Sequence, residues 1–347
     1  MKLLSILAAV AGLGGMAGLV LYFGFDAVLA SLQAMGVAGF AAMCAIHLVL
    51  VVFMGLAWWV LLPGTRPLRV IWGRLVRDSG SEVLPLSQVG GYVLGARAVA
   101  LAGVSGTVAA ASTIVDVTLE FIAQLAYTAL GLAWLAQLRP DSAVALPITI
   151  GLGVASVTAV LLLAVQRRGI GYIDRIAERL GAGWAERTAS GAAALHNALA
   201  AIYRNRSGLW WSFALHLGCW IASAAEAWAA LRLAGVPIGF DAVLVVECLM
   251  YAIRTVAFLV PNAVGVQEGA YILLGASFGL TPEMALALSL LKRARDLTLG
   301  LPAIASWQWL EGGRLWRRLE RRRPTLETPA AAIPVTVPER MRAGSDG

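Results

Sequence analysis

Charged side chains lie inside long apolar stretches of this sequence, and their types could support chemistry. Placing one charge in hydrocarbon costs about 3 kcal/mol on insertion scales, so each is a candidate functional residue. These residues are Glu82, Arg97, Asp116, Glu120, Glu226, Glu247, Arg254, Glu268, Lys292, Arg293, Arg295 and Asp296. The sequence predicts pairs across a helix bundle, such as Glu120 or Asp116 with Arg293 or Arg295. Such pairs could bind a substrate or ion, or they could only fix helix packing.

Glu268 stands apart because it follows Pro261 and Asn262 in a glycine-rich turn that opens a helix. A carboxylate there could take up a proton, hold a buried donor or pair with an arginine. The simpler alternative is an acid that complements the helix dipole. Arg254 precedes the turn and could hold either a lipid phosphate or Glu268.

No sequence motif indicates an enzyme or a cofactor. The sequence lacks a Walker A motif, HExxH, GxSxG and a dinucleotide fingerprint, and its three cysteines have no metal-ligand spacing. We therefore expect a protein without enzymatic activity, cofactor or metal. The net charge of +7 arises from arginines between apolar runs, which favours contact with the bilayer over nucleic acid.

The composition predicts an all-α, polytopic integral membrane protein. Of 347 residues, 59% are hydrophobic and 14% charged, against about 25% charged in soluble proteins. A transmembrane helix needs about 20 apolar residues. Six full spans are predicted, at Leu3–Phe23, Gly39–Leu62, Ala109–Leu138, Ala143–Val165, Leu209–Leu233 and Glu283–Leu310. The first could pass for a signal peptide, but an uncleaved span is favoured because no clear cleavage site precedes Asp26.

Two further apolar stretches, 68–104 and 241–280, are interrupted by proline and glycine, which break helices. We expect each to be a broken or re-entrant helical hairpin. The predicted backbone breaks are Pro85, Gly90 and Gly91 in the first, and Pro261, Gly265 and Gly269 in the second. The predicted organisation is a membrane half over 1–165, an amphipathic cytoplasmic loop over 166–208, a second half over 209–313 and a basic, then disordered tail over 314–347.

Arginine clusters predict the orientation in the membrane. They lie before the first broken stretch (Arg66, Arg69, Arg74, Arg77), in the central loop, and after the last span. The positive-inside rule places all three clusters and both termini in the cytoplasm. Six full spans satisfy this arrangement, and so do eight. The central loop is expected on the lipid surface, or as a solvated hairpin.

The two broken stretches also look like an internal repeat. Pro85 and Gly103 are 18 positions apart, and so are Pro261 and Gly279. The second pair follows the first by 261 − 85 = 176 positions, and Asp296 follows Glu120 by the same 176 positions. The predicted topology enters the two breaks from opposite sides, which is the inverted repeat common in transporters.

Two blocks of the sequence resemble a known family. The first block is Leu84-Pro85-x-x-x-x-Gly90-Gly91 with Arg97, followed by Ala110-Ala111-Ser112, which leads to Asp116 and Glu120. The second block is Val260-Pro261-Asn262-Ala263-x-Gly265-x-x-Glu268-Gly269, followed by Leu290-Leu291-Lys292-Arg293-x-Arg295-Asp296. They resemble the lysylphosphatidylglycerol synthase transmembrane (flippase-like) family, over roughly Leu3 to Gly312. The sequence of the second block is most similar to that of a branch associated with hopanoid biosynthesis.

The resemblance implies a multi-pass protein of the bacterial inner membrane that moves a lipid, a hopanoid or a phospholipid, between leaflets. Its implied binding residues are Glu268, Arg254, Asn262, Arg97, Glu120, Arg293, Arg295 and Asp296. No acid lies beside Gly90-Gly91, which argues against a symmetric two-acid mechanism. Two alternatives stay open: an integral membrane enzyme acting on a lipid headgroup, and a scaffold for lipid-biosynthesis enzymes.

Overall fold

A computed structural model of the protein describes residue 14 and residues 17–82, 88–143, 145–168, 182–257 and 260–322. All regular structure in these ranges is helical, which confirms the predicted all-α class. Within the described residues, a helical segment over 17–23 precedes ten α-helices. These are α1 Phe25–Trp59, α2 Pro67–Glu82, α3 Gln88–Leu101, α4 Gly106–Leu138, α5 Ala145–Arg168, α6 Ala182–Arg204, α7 Arg206–Leu233, α8 Phe240–Val256, α9 Val266–Ala276 and α10 Pro282–Arg322.

Three of the described helices are long and apolar enough to cross a bilayer: Phe25–Trp59, Gly106–Leu138 and Ala145–Ala164. α5 leaves seven large apolar side chains exposed, including Ile150, Val154 and Val157, as expected of a helix that faces lipid. The spans predicted at Leu209–Leu233 and Glu283–Leu310 are helical, but α7 and α10 do not meet this apolar standard.

Both predicted broken stretches consist of two helices. α2 and α3 flank residues 83–87, which include Pro85 and lie outside the described residues. Between α8 and α9, Pro261–Ala263 form a short 3-10 turn, in which Asn262 and Ala263 have positive φ angles of 50° and 45°. Such angles are uncommon for residues other than glycine, so side-chain contacts must hold this turn.

The two broken stretches continue alike. In each, a short helix, α3 or α9, is followed by a glycine with positive φ and then by a long helix, α4 or α10. The glycines are Gly103, at 105°, and Gly279, at 80°. The order of elements therefore agrees between the two stretches, while their opposite orientation in the bilayer stays a prediction.

α4 is the central helix of the bundle and packs against α3, α5, α6, α7 and α8. Its Ser105 N-cap accepts a hydrogen bond from the Val108 N–H at 3.3 Å. α6 was expected on the lipid surface or in a solvated hairpin. One face of α6 is apolar, and its Leu199 and Ile202 pack into a core with Trp58 and Val115, while the position of α6 relative to the bilayer stays a prediction.

The chain divides into two compact units, Met1–Gln308 and Trp309–Gly347. In the second unit the end of α10 makes the basic segment helical as far as Arg322. Most of the predicted span Leu3–Phe23, the first part of the central loop and the tail predicted to be disordered lie outside the described residues.

Candidate functional site

One face of α2 carries a polar stripe inside the bundle. Arg74 lies three and four positions before Arg77 and Asp78, and Asp78 lies three and four positions before Ser81 and Glu82, so a helix places all five on one side. All five line a single cavity of about 290 Å³. Its other charged lining residues are Glu120, Glu226, Arg254, Arg295 and Asp296. Five carboxylates and four arginines thus nearly balance, and the cavity suits a group that can exchange partners with both signs of charge.

The buried end of the stripe is an arginine–carboxylate cluster between α2 and α4. Arg74 Nη2 lies 2.6 Å from Glu120 Oε1, and Arg77 Nη1 lies 2.6 Å from Asp116 Oδ2. Arg77 also bonds Glu120, and His216 Nε2 of α7 lies 3.0 Å from Asp116 Oδ1. Charge-assisted pairs of this kind offset the desolvation of both partners. The cluster therefore fixes α2 against α4.

Arg254 joins the two broken stretches. Its Nη2 lies 2.5 Å from both carboxylate oxygens of Glu82, the last residue of α2. The same nitrogen donates to Asn262 Oδ1 at 2.8 Å, and Asn262 Nδ2 donates to the Glu82 carbonyl at 2.9 Å. The end of α2 and the turn at Asn262 therefore meet at the edge of the cavity.

Glu268 is fully buried and holds the second interruption from the other side. It accepts hydrogen bonds from the Gly265 N–H at 2.7 Å, from Ser289 Oγ at 3.0 Å and from Arg293 Nε at 2.6 Å. Arg293 Nη1 also donates to the Asn262 carbonyl at 3.3 Å. Because both carboxylate oxygens are engaged and Glu268 does not line the cavity, its geometry favours a structural role.

Arg295 and Asp296 of α10 also line the cavity. Arg295 bonds Glu226 of α7, and its Nη2 lies 2.6 Å from Asp296 Oδ1. His47 Nδ1 lies 3.1 Å from the second oxygen of Glu226. In the described parts of the chain, no group of three or more His, Cys, Asp or Glu side chains is arranged to hold a metal ion.

A family model described as the lysylphosphatidylglycerol synthase TM region matches residues 4–303. The chain belongs to this family. No curated protein and no solved structure matches it significantly. The matched range includes every charged residue of the cavity, so the site lies within the part of the chain that defines membership of the lysylphosphatidylglycerol synthase TM family.

The pairing predicted for this family member was wrong. Asp116 and Glu120 contact Arg74 and Arg77, not Arg293 or Arg295. Arg293 contacts Glu268, and Arg254 contacts Glu82 and not Glu268. The reason is that α2 packs against α1 and α3, and from this position its long arginine side chains reach the carboxylates of α4.

Sequence reasoning missed Arg74 and Arg77 because it assigned them to a cytoplasmic cluster. Each is only 2% exposed. The spacing of the α2 stripe was the available signal, since a polar face on a helix between apolar spans indicates a wet or paired interior.

The remaining predicted residues are placed as follows. Arg97 is exposed on α3 and is not among the cavity lining. Gly90 and Gly91 lie within α3, and Gly269 lies within α9, so these three are not backbone breaks. A Cβ at Gly91 would lie 2.6 Å from the Arg77 carbonyl oxygen, so this glycine permits close packing of α2 and α3. Pro261 does lie at the second interruption, and so does Gly265, whose φ is 82°.

A further buried group of this family member lies apart from the cavity. Lys292 Nζ is 2.5 Å from Glu247 Oε2 and 2.7 Å from the Tyr271 hydroxyl, which donates to Glu247 Oε1 at 2.7 Å. The group joins α8, α9 and α10. The sequence indicated Glu247 and Lys292 as buried charges but not the tyrosine that bridges them.

Tyr271→Phe is expected to lower the free energy of unfolding by about 1–3 kcal/mol, because both charged partners lose a buried hydrogen bond. Thermal unfolding in detergent measures this. The control is Tyr22→Phe, since Tyr22 is 82% exposed and should tolerate the change. Equal loss of stability in the two variants would contradict a role for the bridge.

Proposed function

We propose that this protein is a lipid transporter of the bacterial inner membrane that moves a lipid headgroup between leaflets without changing it chemically. Both termini face the cytoplasm, as the distribution of arginines favours. The observation that carries the proposal is the charged cavity at the meeting point of two interrupted helices. Membership of the lysylphosphatidylglycerol synthase TM family supports a lipid-related role in a membrane.

Paired charges inside a membrane protein suit the passage of a headgroup. A headgroup cannot cross hydrocarbon alone, because its polar atoms lose their hydrogen bonds to water. A cavity whose ion pairs can open offers replacement partners. An arginine can take a phosphate with its fork of donors, and a carboxylate can take a hydroxyl or an ammonium group.

Arg254 and Glu82 are the pair best placed for this exchange. Their side chains are 12% and 23% exposed, whereas that of Arg77 is 2% exposed. They also join the end of α2 to the turn at Asn262, so opening this pair would release the second interruption from α2. We assign headgroup contact to Arg254 and Glu82, and positioning of the second interruption to Asn262, Glu268 and Arg293.

The energy source we propose is a proton or ion gradient, because no nucleotide-binding motif occurs in the sequence. The lipid class we propose is linked to hopanoids. This part rests on the likeness of the Pro261–Gly269 block to the branch associated with hopanoid biosynthesis.

Purified protein in liposomes tests the proposal. The leaflet distribution of a labelled phospholipid and of a labelled hopanoid is followed with and without a pH gradient. We expect protein-dependent movement that falls about tenfold in Arg254→Ala and in Glu82→Gln, the effect of losing roughly 1.4 kcal/mol of transition-state stabilisation. Arg232→Ala is the matched control, because Arg232 is exposed on α7 and does not line the cavity.

The charge-reversed double variant Glu82→Arg/Arg254→Glu separates pairing from folding. Partial recovery of movement relative to the single reversals would support the pair as the opening element. Movement equal to wild type in Arg254→Ala and Glu82→Gln would refute the assignment. A lipid that is chemically altered without crossing would instead favour an enzyme.

A further inference from the structure

An apolar groove lies beside the charged cavity, between α4, α5 and α8. Its volume is about 410 Å³, within the range of small-molecule sites. Its walls include Leu125 of α4, Ile148, Gly151, Leu152 and Ala155 of α5, and Ala252 of α8. The part of α5 that could cross a bilayer is almost unburied, so this wall of the groove faces the lipid.

The groove and the charged cavity share part of their lining. Phe121, Gln124 and Thr255 line both. Gln124 Nε2 donates to Thr255 Oγ1 at 2.5 Å and to the Tyr251 carbonyl at 3.2 Å. One layer of side chains, held by a single amide, therefore separates an apolar space from a charged one.

We infer that this groove holds a hydrocarbon chain of the lipid whose headgroup enters the cavity. The inference rests on the proposed function. An amphiphile needs a charged space and an apolar space in direct contact, and these two spaces meet at Gln124 and Thr255. A helix of a partner protein would cover the groove equally well but would make no use of the adjoining charges.

The groove would not gain affinity from the hydrophobic effect, because a chain leaving the bilayer exchanges one apolar environment for another. Its contribution is to keep the chain out of the charged cavity while the headgroup is inside. It would also select chains by shape, since the groove is bounded by the packed helices α4 and α8.

Two glycines of α5 provide a matched pair of variants. Gly151 lines the groove and Gly153 is exposed outside it. A Cβ at either position would meet no atom within 4 Å, so neither substitution forces a clash in the fold. Gly151→Trp fills the groove, whereas Gly153→Trp adds the same bulk toward lipid.

The test uses the full chain in vesicles that contain phosphatidylethanolamine with a diazirine in one acyl chain, followed by peptide mapping of the photoproducts. We expect labelling around Leu152 and Ala252 in the wild type and in Gly153→Trp, and loss of that labelling to background in Gly151→Trp. Equal labelling in the two tryptophan variants would overturn the inference. So would absent labelling together with a smaller particle mass of Gly151→Trp in light scattering, which would assign the groove to a second copy.

Labelling needs no translocation, so the groove and the transport function can fail separately. Labelling that Gly151→Trp removes, in a protein that moves no lipid, would keep the groove and reject transport. Lipid movement with unchanged labelling in Gly151→Trp would keep transport and reject the groove.

Discussion

Arg77→Ala is expected to lower the free energy of unfolding by about 3–5 kcal/mol, the cost of leaving buried charges without their partner. Arg77 is 2% exposed and contacts Asp116 and Glu120 of α4. Its loss would leave Arg74 alone to neutralise both carboxylates. We expect little folded protein at the growth temperature and a much lower midpoint in thermal unfolding in detergent.

Two variants of α2 make this measurement specific. Arg77→Lys keeps the charge but not the fork of donors, so it should lie between wild type and Arg77→Ala. Arg69→Ala removes an exposed arginine from the same helix and should change stability little. If Arg77→Ala and Arg69→Ala have the same midpoint of thermal unfolding, the buried cluster does not stabilise the bundle.

Glu268→Ala is expected to cost a similar amount of unfolding free energy, about 3–5 kcal/mol, by leaving the half-buried Arg293 without its carboxylate partner. The Gly265 N–H and Ser289 would also lose their acceptor. Because Arg293 and Gly265 both hold the turn at Asn262, we expect the second interruption to loosen first. Hydrogen exchange of the peptide that covers 260–270 would show this.

The double variant Glu268→Ala/Arg293→Leu is the decisive control for that prediction. Removing both charges should recover part of the stability, because no buried ion is then left alone. Glu268→Gln tests the ion-binding role expected from sequence. Lipid movement per folded molecule should be close to wild type if Glu268 is structural. A folded Glu268→Gln protein that moves no lipid would instead identify Glu268 as the ion-sensitive group.

Elements that depend on local chemistry could be predicted from the sequence. The length of the apolar runs predicted α4 and α5 to within three residues at each end, since the structure has them at Gly106–Leu138 and Ala145–Arg168. Proline and glycine located the second interruption, because no helix can continue through Pro261 and the residues of positive φ that follow it.

Partners across the bundle could not be predicted in the same way. The positive-inside rule assigned Arg74 and Arg77 to the cytoplasmic side without a partner, whereas both are buried and bond the carboxylates of α4. The positive-inside rule counts arginines without knowing which are neutralised, and only the packing of α2 supplies that information. Likewise the sequence suggests that Glu268 is a free acid, whereas in the fold Ser289 and Arg293 of α10 donate hydrogen bonds to it.

The charged stripe of α2 also has a consequence for biosynthesis. A helix with two arginines and two acids on one face is unstable in hydrocarbon by itself, because each charge costs about 3 kcal/mol there. The carboxylates of α4 that neutralise Arg74 and Arg77 leave the ribosome only after α3 and the turn at Gly103. We therefore expect α2 to wait at the translocon and to enter the bilayer together with α3 and α4, so the ion pairs that shape the cavity also set the order of membrane insertion.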